Sequence, residues 1–573
     1  EGVSANSKAT HALPFDGRQL ISFSDSRQGT ARFAANMETS GERGFVRGFI
    51  YHAVQKAAQG AELTSEKRDD LEKKRDKLSQ LVAEIPSFKD ELADIEAQLG
   101  GGKAAGVSWQ EMTKALAGEP AISMMAKVWD AERSERYHGD RQALARFMLL
   151  REMARRPRNA NAMETLGLAR LNFPDIEMLG QERLPEIIAE RGFGITDWRD
   201  FLYFMVDYLR SYFAVDVDDG DARWMPGRAS PRNVIGPDQP PCSKRDLNWP
   251  SINPKGIQPG AVLLLTSALN LDLADKRGRH EVSLLLRTAW EQLSPLLSVV
   301  GGTFRLQLEK KAQIEAVKSA WQCPLTRRIL PRLVFGRSPN LAGKSSSLEN
   351  NKPEAVTLPV LPAQRPLSQD MKIKIENWLH SDSTVVELRQ KGVWTNLHDR
   401  AAAATPYLRA EEHSAQQPPH RLRDFEEQFK EGEINLLACS TTMEMGVDIG
   451  SIEAVLMTNV PPSIANYNQR AGRAGRRNQG FSTSLTIARN TPLDLETFAD
   501  PAGYLRRKLA SPKVSLDSDR IAQRHANAYL LAEWFREVEG EFAKTKSGDF
   551  FGCNADLRPF EGIPPVNVFN EWL

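Results

Sequence analysis

Two strand–turn–helix signals near opposite ends of one chain constrain its fold more than any other feature. The first is Gln19-Leu20-Ile21-Ser22-Phe23-Ser24, which reads as a short buried strand, followed by the turn Asp25-Ser26-Arg27-Gln28 and the helix-like Thr30 to Met37. The second lies more than 350 residues later. It runs through a helix with Phe425 and Phe429, the strand Ile434 to Cys439, the strand Ala454 to Met457, the helix-like Ile464 to Arg476 and the strand Ser484 to Ile487. Strands alternating with helices predict a parallel sheet covered on both faces, with ligands expected where the C-terminal ends of the strands meet loops.

The residues between the two blocks do not alternate in this way and read as an insertion. Leu71, Leu78, Ile85, Leu92 and Leu99 recur every seven residues, but Pro86 interrupts a single helix, so a helical hairpin is expected there. Gly100-Gly101-Gly102 marks a hinge, and 109–213 reads as mainly helical. Arg151, Arg155, Arg156 and Arg158 form a basic cluster, open either to phosphate contact or to a solvated surface. Pro226 to Pro259 reads as a long loop or linker, His280 to Leu297 as a helix, and Ile521 to Val538 as a further helix. The 573 residues are 41% hydrophobic and 26% charged, which excludes fibrous and wholly disordered classes. No apolar run approaches the roughly 18 residues a spanning helix needs, so no membrane association is expected. The cysteines Cys242, Cys323, Cys439 and Cys553 form no CxxC pair and fit a reducing cytoplasm. Net charge is +1, so any nucleic-acid surface must be a local patch.

Two clusters carry the chemistry. Cys439 to Gly450 follows an apolar strand and sets the hydroxyls Ser440, Thr441 and Thr442 and the glycine Gly446 where donors approach a phosphate, while Asp448 can orient a neighbouring arginine or a sugar. Gln469-Arg470-Ala471-Gly472-Arg473-Ala474-Gly475-Arg476 spaces three arginines three residues apart, near one face if helical, with small residues between them. Arginines in such a row call for an anionic partner.

On these residues the chain resembles the second RecA-like domain of superfamily 2 helicases and translocases. Ser24 to Gln28 is similar to helicase motif IV, Ser440 to Asp448 to motif V, and Gln469 to Arg476 to the QRxGRxGR form of motif VI. Glu412-His413-Ser414-Ala415-Gln416, Trp394 to Arg400 and Glu164 to Leu168 are similar to large DEAD/DEAH-type helicases with a DUF1998-like C-terminal region. Helicases of the antiphage systems DISARM and Druantia belong to that group. The resemblance implies a RecA-like α/β sheet domain split by a large, mainly helical insertion, with a helical C-terminal extension. It implies that Arg473 and Arg476 act as arginine fingers, that Gln469 senses the nucleotide or positions water, and that Gly446, Asp448 and Arg470 serve the nucleotide side. Ser24, Arg27, Thr441 and Thr442 would hold nucleic-acid phosphates. ATP with Mg2+ is the implied cofactor, and DNA and defence-system proteins are the implied partners. Members of this group often carry a cysteine-rich zinc site, of which only Cys242 and Cys323 remain near comparable places, so no metal is expected here.

The sequence contains no G-x-x-x-x-G-K-[ST] phosphate loop: at Gly343-Lys344-Ser345 the position five before Gly343 is Ser338. Glu411-Glu412-His413 has Ala410 where a DExH box needs Asp. With Glu1 rather than Met at the start, these gaps lead to the expectation of a C-terminal portion that is inactive alone and needs an upstream RecA-like first domain. The segments expected are 15–40 and 386–490 for the split RecA-like domain, 41–107 for a helical hairpin segment, 108–225 for a helical insertion, 226–385 for a linker and mixed α/β insertion, and 491–573 for the extension. A helicase-derived, non-enzymatic scaffold for nucleic acid or a partner is the alternative, and DNA and RNA are not distinguished by these motifs.

Overall fold

A computed structural model describes residues 13–61, 73–75, 77, 106–133, 139–154, 161–225, 230–240, 243–254, 256–341, 353–440, 452, 454–475, 482–508, 518–538, 550–551 and 564–573. The heptad segment and Gly343–Ser345 lie almost wholly outside them.

Leu20–Phe23 (β1), Ala410–His413 (β2), Leu436–Cys439 (β3), Ala454–Met457 (β4) and Thr483–Thr486 (β5) form a five-stranded parallel sheet in the order β2-β3-β1-β4-β5. The first strand in sequence is central in space. It pairs Leu20 with Leu436 and Phe23 with Cys439 on one side, and Leu20 with Ala454 and Phe23 with Met457 on the other. Alternate residues divide between the faces. Ile21, Phe23, Leu437, Cys439, Val455 and Met457 meet Phe425 and Phe429 of the helix Pro419–Lys430 (called α2 below), while Leu436, Ala438 and Ala410 meet Ala34, Phe33 and Met37 on the opposite face. Both faces are therefore apolar, as a parallel sheet requires.

The opposite face is covered by α1, Arg27–Ala61, a single helix of 35 residues where the sequence signals only Thr30 to Met37. It crosses residue 40, at which the sequence pattern divides two segments. Glycine explains the close crossing. A Cβ added at Gly41 would lie 2.7 Å from the Leu408 carbonyl oxygen, so only hydrogen fits between α1 and the strand-leading loop. Beyond that contact, Phe45, Val46, Phe49, Ile50 and Val54 of α1 enter a second, larger core shared with the insertion.

The insertion packs around that half of α1 with helices Trp109–Ala117, Pro120–Arg133, Arg141–Met153, Ile195–Ser211, Gly260–Leu269 and Lys276–Leu293, and three small, mainly antiparallel sheets. Arg43 and Arg47 each place Nε 2.7 Å from a Glu152 oxygen, and Arg151 reaches back to Glu42 at 2.5 Å. Burial alone would raise the Glu152 carboxyl, but Arg47 and Arg43 outweigh it and hold it down at about 2. Arg151, read from sequence as part of a phosphate-contacting or solvated cluster, is instead a buried bracket between α1 and Arg141–Met153, because a carboxylate stands opposite it. The expected linker at 226–259 also differs: Val234–Ile235 and Leu247–Asn248 pair within a sheet, and Trp249 is buried with its indole NH on the Leu286 carbonyl.

Two histidines complete the joint. His52 Nε2 donates to the Ala402 carbonyl at 2.8 Å, and His398 Nε2 to that of Leu166 at 2.8 Å, while their Nδ1 atoms accept from the amides of Arg365 and Thr395. Burial, partly opposed by those carbonyls, lowers both rings to about 4.

The residues Glu496–Leu573, with Ser463–Ala465, form a separate compact unit. Within it Asp519–Glu537 and Pro565–Trp572 pack through Trp534, buried to 1% exposure, and Phe569, with ring centroids 5.4 Å apart.

Gly41→Ala is expected to lower unfolding free energy by about 1–3 kcal/mol, since backbone must move. Gly44→Ala, where an added Cβ meets nothing within 4 Å, is expected to leave stability unchanged or raise it by about 0.5–1 kcal/mol; urea titrations compare the two. Because the two histidines bind protons more weakly folded than unfolded, their contribution is complete above the ordinary histidine pKa of about 6.5 and is lost as pH falls toward 4. The urea midpoint should drop across that window, and drop less in His398→Gln.

Candidate functional site

The strand order reverses around β1: the chain leaves it for β2, returns beside it at β3, and crosses to β4 on its other side. Such a point opens a crevice at the C-terminal ends of the strands. What emerges there from β1 is Ser24-Asp25-Ser26-Arg27. Ser24 continues the ladder, its amide donating to the Cys439 carbonyl at 3.0 Å, and is buried at 4% exposure. Ser26 starts α1, its Oγ accepting from the Gly29 amide at 3.1 Å, while Arg27 is exposed in the first turn. The hydroxyl that caps the helix start is that of Ser26, while Ser24 lies one residue beyond the end of β1 and is buried.

On the other side of β1, the helix Ile464–Ala471 (α3) carries Gln469 and Arg470. It ends at Ala471, not at Arg476 as the spacing suggests. Gly472 packs against the Asn468 carbonyl, and Gly475 takes a left-handed φ of 77° while its amide bonds the Ile452 carbonyl at 3.0 Å. The arginines consequently do not form one helical row. Arg470 turns inward at 1% exposure, its Nη2 2.5 Å from Asp25 Oδ1 and its guanidinium 5.6 Å from the Phe23 ring centroid. Asn459, following β4, donates to the second Asp25 oxygen at 2.5 Å. Arg470 thus clamps together segments 445 residues apart.

Arg473 follows in the turn beyond α3, at 6% exposure. It lies near Cys439 at the end of β3: burial pushes the Cys439 thiol up, and the Arg473 charge opposes that push. Gln469 is exposed. Thr441, Thr442, Gly446, Asp448 and Arg476 lie outside the described residues. Along the edge, β2 ends in a polar set in which His413 Nε2 meets Glu426 Oε1 at 2.9 Å and the Ser414 hydroxyl meets Glu412. Glu411 and His413 thus belong to the edge strand of the sheet. The sequence reading assigned no individual role to Asp25 or Ser26 within the motif IV segment and did not single out Asn459. The spacing of Ser26 ahead of an apolar helical face, an N-cap pattern, was the available signal.

The described residues do not suit a metal. Cys323 is buried and faces Ser338 Oγ at 3.4 Å and Asn340 Nδ2 at 3.7 Å, and no group of three or more His, Cys, Asp or Glu among the described residues could hold an ion. Burial alone would raise this thiol, but hydrogen bonds from Ser338, Thr326 and Asn340 bring it down to about 7.

The family described as helicase conserved C-terminal domain matches residues 390–478, which span β2, β3, β4 and the arginine turn. The chain is 37% identical over 221 residues to Druantia protein DruE of Escherichia coli (strain UMEA 4076-1), covering 34% of this chain and 12% of that protein. It is 32% identical over 131 residues to the uncharacterized ATP-dependent helicase YprA of Bacillus subtilis (strain 168), covering 23% of this chain and 17% of that protein. Among solved structures, the DUF1998 helicase MrfA bound to DNA and AMPPNP aligns with 37% of this chain and 28% of that one, at 19% identity and a TM-score of 0.22. The chain thus spans under a fifth of the length of these two curated relatives.

Asp25→Ala would remove a carboxylate that neutralises the buried Arg470 guanidinium. Because Asp25 is 36% exposed, the expected loss is about 1–3 kcal/mol, below that of a fully buried pair, and urea unfolding measures it. Arg470→Met, which keeps contact with Phe23, is expected to lose less than Asp25→Ala.

Proposed function

We propose, from the premise that this chain is a superfamily 2 helicase relative with a defence-type helicase among its kin, that it supplies the second RecA-like domain of an ATP-dependent DNA helicase or translocase. The observation that carries this reading is the Asp25–Arg470 clamp. It draws the motif IV and motif VI segments, far apart in sequence, to the C-terminal ends of β1 and β3, with Arg473 beside them. Family sites for ATP lie between two such domains, and this sequence holds the arginine side without a phosphate-cradling loop. The reading therefore pairs the chain with a first RecA-like domain that carries that loop and its Mg2+ carboxylates.

ATP, when bound, supplies the free energy of phosphoryl transfer. Arg473, with Arg476, would present positive charge to the terminal phosphate, and Gln469, exposed on the last turn of α3, would orient the nucleotide or water. Arg27 at the start of α1 would hold a nucleic-acid phosphate by charge and helix-end donors, with Thr441 and Thr442 as a second grip. Asp25 couples the two sides, since it sits between Arg470 and the turn that presents Arg27. Similarity to DruE supports a role in antiphage defence.

In the assembly that contains both RecA-like domains, Arg473→Ala is expected to reduce nucleic-acid-stimulated ATP turnover by roughly 10³-fold or more while leaving thermal unfolding unchanged. Turnover at the wild-type rate would refute the arginine-finger role. A chain that binds single-stranded DNA in an assembly showing no stimulated turnover at all would favour the scaffold alternative.

A further inference from the structure

Most buried charges of the insertion neutralise one another. Arg332 meets both Glu177 and Asp200, Arg210 meets Glu164 and Asp207, and Arg191 meets Glu281. The pocket between α1 and the helix Asn396–Ala402 is different. Its volume is about 200 Å³, several times the ~30 Å³ share of one water molecule, and its lining among the described residues includes Arg43, Arg47 and Arg400 but no carboxylate. Glu152, behind the wall and inaccessible to solvent, is one acid shared by Arg43 and Arg47. Arg400 is exposed, and its guanidinium makes no ion pair or hydrogen bond among the described residues. Two of the three guanidinium groups thus share one buried carboxylate, and the third has none among the described residues.

The lining also includes Ser40, Asn161 and Gly44. Glycine inside an exposed stretch of helix costs about 1 kcal/mol relative to alanine, and here no packing demands it, since an added Cβ would meet nothing within 4 Å. Its effect is to leave open backbone surface where the arginines converge.

We propose that this pocket binds a phosphate group of the nucleic-acid strand, as a further grip beyond those assigned to Arg27 and to Thr441 and Thr442. Sixteen residues of α1 separate Arg27 from Arg43, which at the α-helical rise is roughly 24 Å, so a bound strand would be held at the start and at the middle of one rigid helix. The inference rests on the nucleic-acid reading above and adds the insertion to the binding track.

The test uses the whole chain, fluorescence anisotropy with a single-stranded oligothymidylate, and a series of salt concentrations. Arg400→Gln removes an unpaired cation without touching the core, and Gly44→Glu places a carboxylate in the pocket without a backbone clash. Both are expected to weaken binding several-fold, and Arg400→Gln to reduce the log–log salt slope by about one. If Arg27→Gln weakens binding while both pocket variants match wild type in affinity and slope, the pocket is overturned and the nucleic-acid reading stands. If the wild-type chain binds no strand, both fall. If inorganic phosphate raises the melting temperature of wild type but not of Arg400→Gln, and strand binding is the same in both, the pocket takes free phosphate and the strand assignment is overturned.

Discussion

The structure depends on how closely one helix can approach one loop. At Gly41 the backbone of α1 lies against the Leu408 carbonyl with no room for a side chain, and this fixes the helix over β2 and β3. Upstream of that contact, α1 covers the sheet through Phe33, Ala34 and Met37. Downstream, it becomes the centre of the insertion's core through Phe45, Phe49 and Val54. A sheet interrupted by hundreds of residues would ordinarily suffer a large loop-closure cost, but that cost grows only slowly with length and the insertion folds on the rod that leaves the sheet. The paired bridges Arg43–Glu152, Arg47–Glu152 and Arg151–Glu42 then fix the register of the insertion against α1.

Much of the sheet was legible because its strands are short, apolar on both faces and followed by turn chemistry. Leu20–Phe23, Leu436–Cys439 and Ala454–Met457 are visible as apolar runs, and a both-faces-buried strand has few other readings. β2 was harder to see as a strand. Ala410-Glu411-Glu412-His413 is polar, and its burial depends on Arg409, whose Nε bonds Glu411 at 3.1 Å, a local pairing that composition hides. The length of α1 was hidden for a related reason: beyond Met37 it carries Gly41, Gly44 and Gly48, poor helix formers, of which at least Gly41 is required by tertiary contact.

In the site, residue types were easier to read than their geometry. The arginine spacing implied one helical face, but the glycines between them end α3 at Ala471 and send Arg470 and Arg473 to different tasks. Arg470 fastens the sheet's centre through Asp25, and Arg473 stands at the end of β3. Asp25 carried no chemical signal of its own in the sequence, since its meaning comes from an arginine that only the fold brings near. Residues that clamp a site together are harder to find from sequence than residues that act in it, because the clamp is a property of a pair.

The central claim is that α1 makes the sheet and the insertion one cooperative body. Native-state hydrogen exchange in low urea tests it most directly, by following the amides of β1 and of the helix Arg141–Met153. The account predicts that both sets exchange through one shared opening, with the same free energy and the same dependence on urea. Exchange of the β1 amides through a separate, lower-energy opening, with the Arg141–Met153 amides still protected, would contradict it.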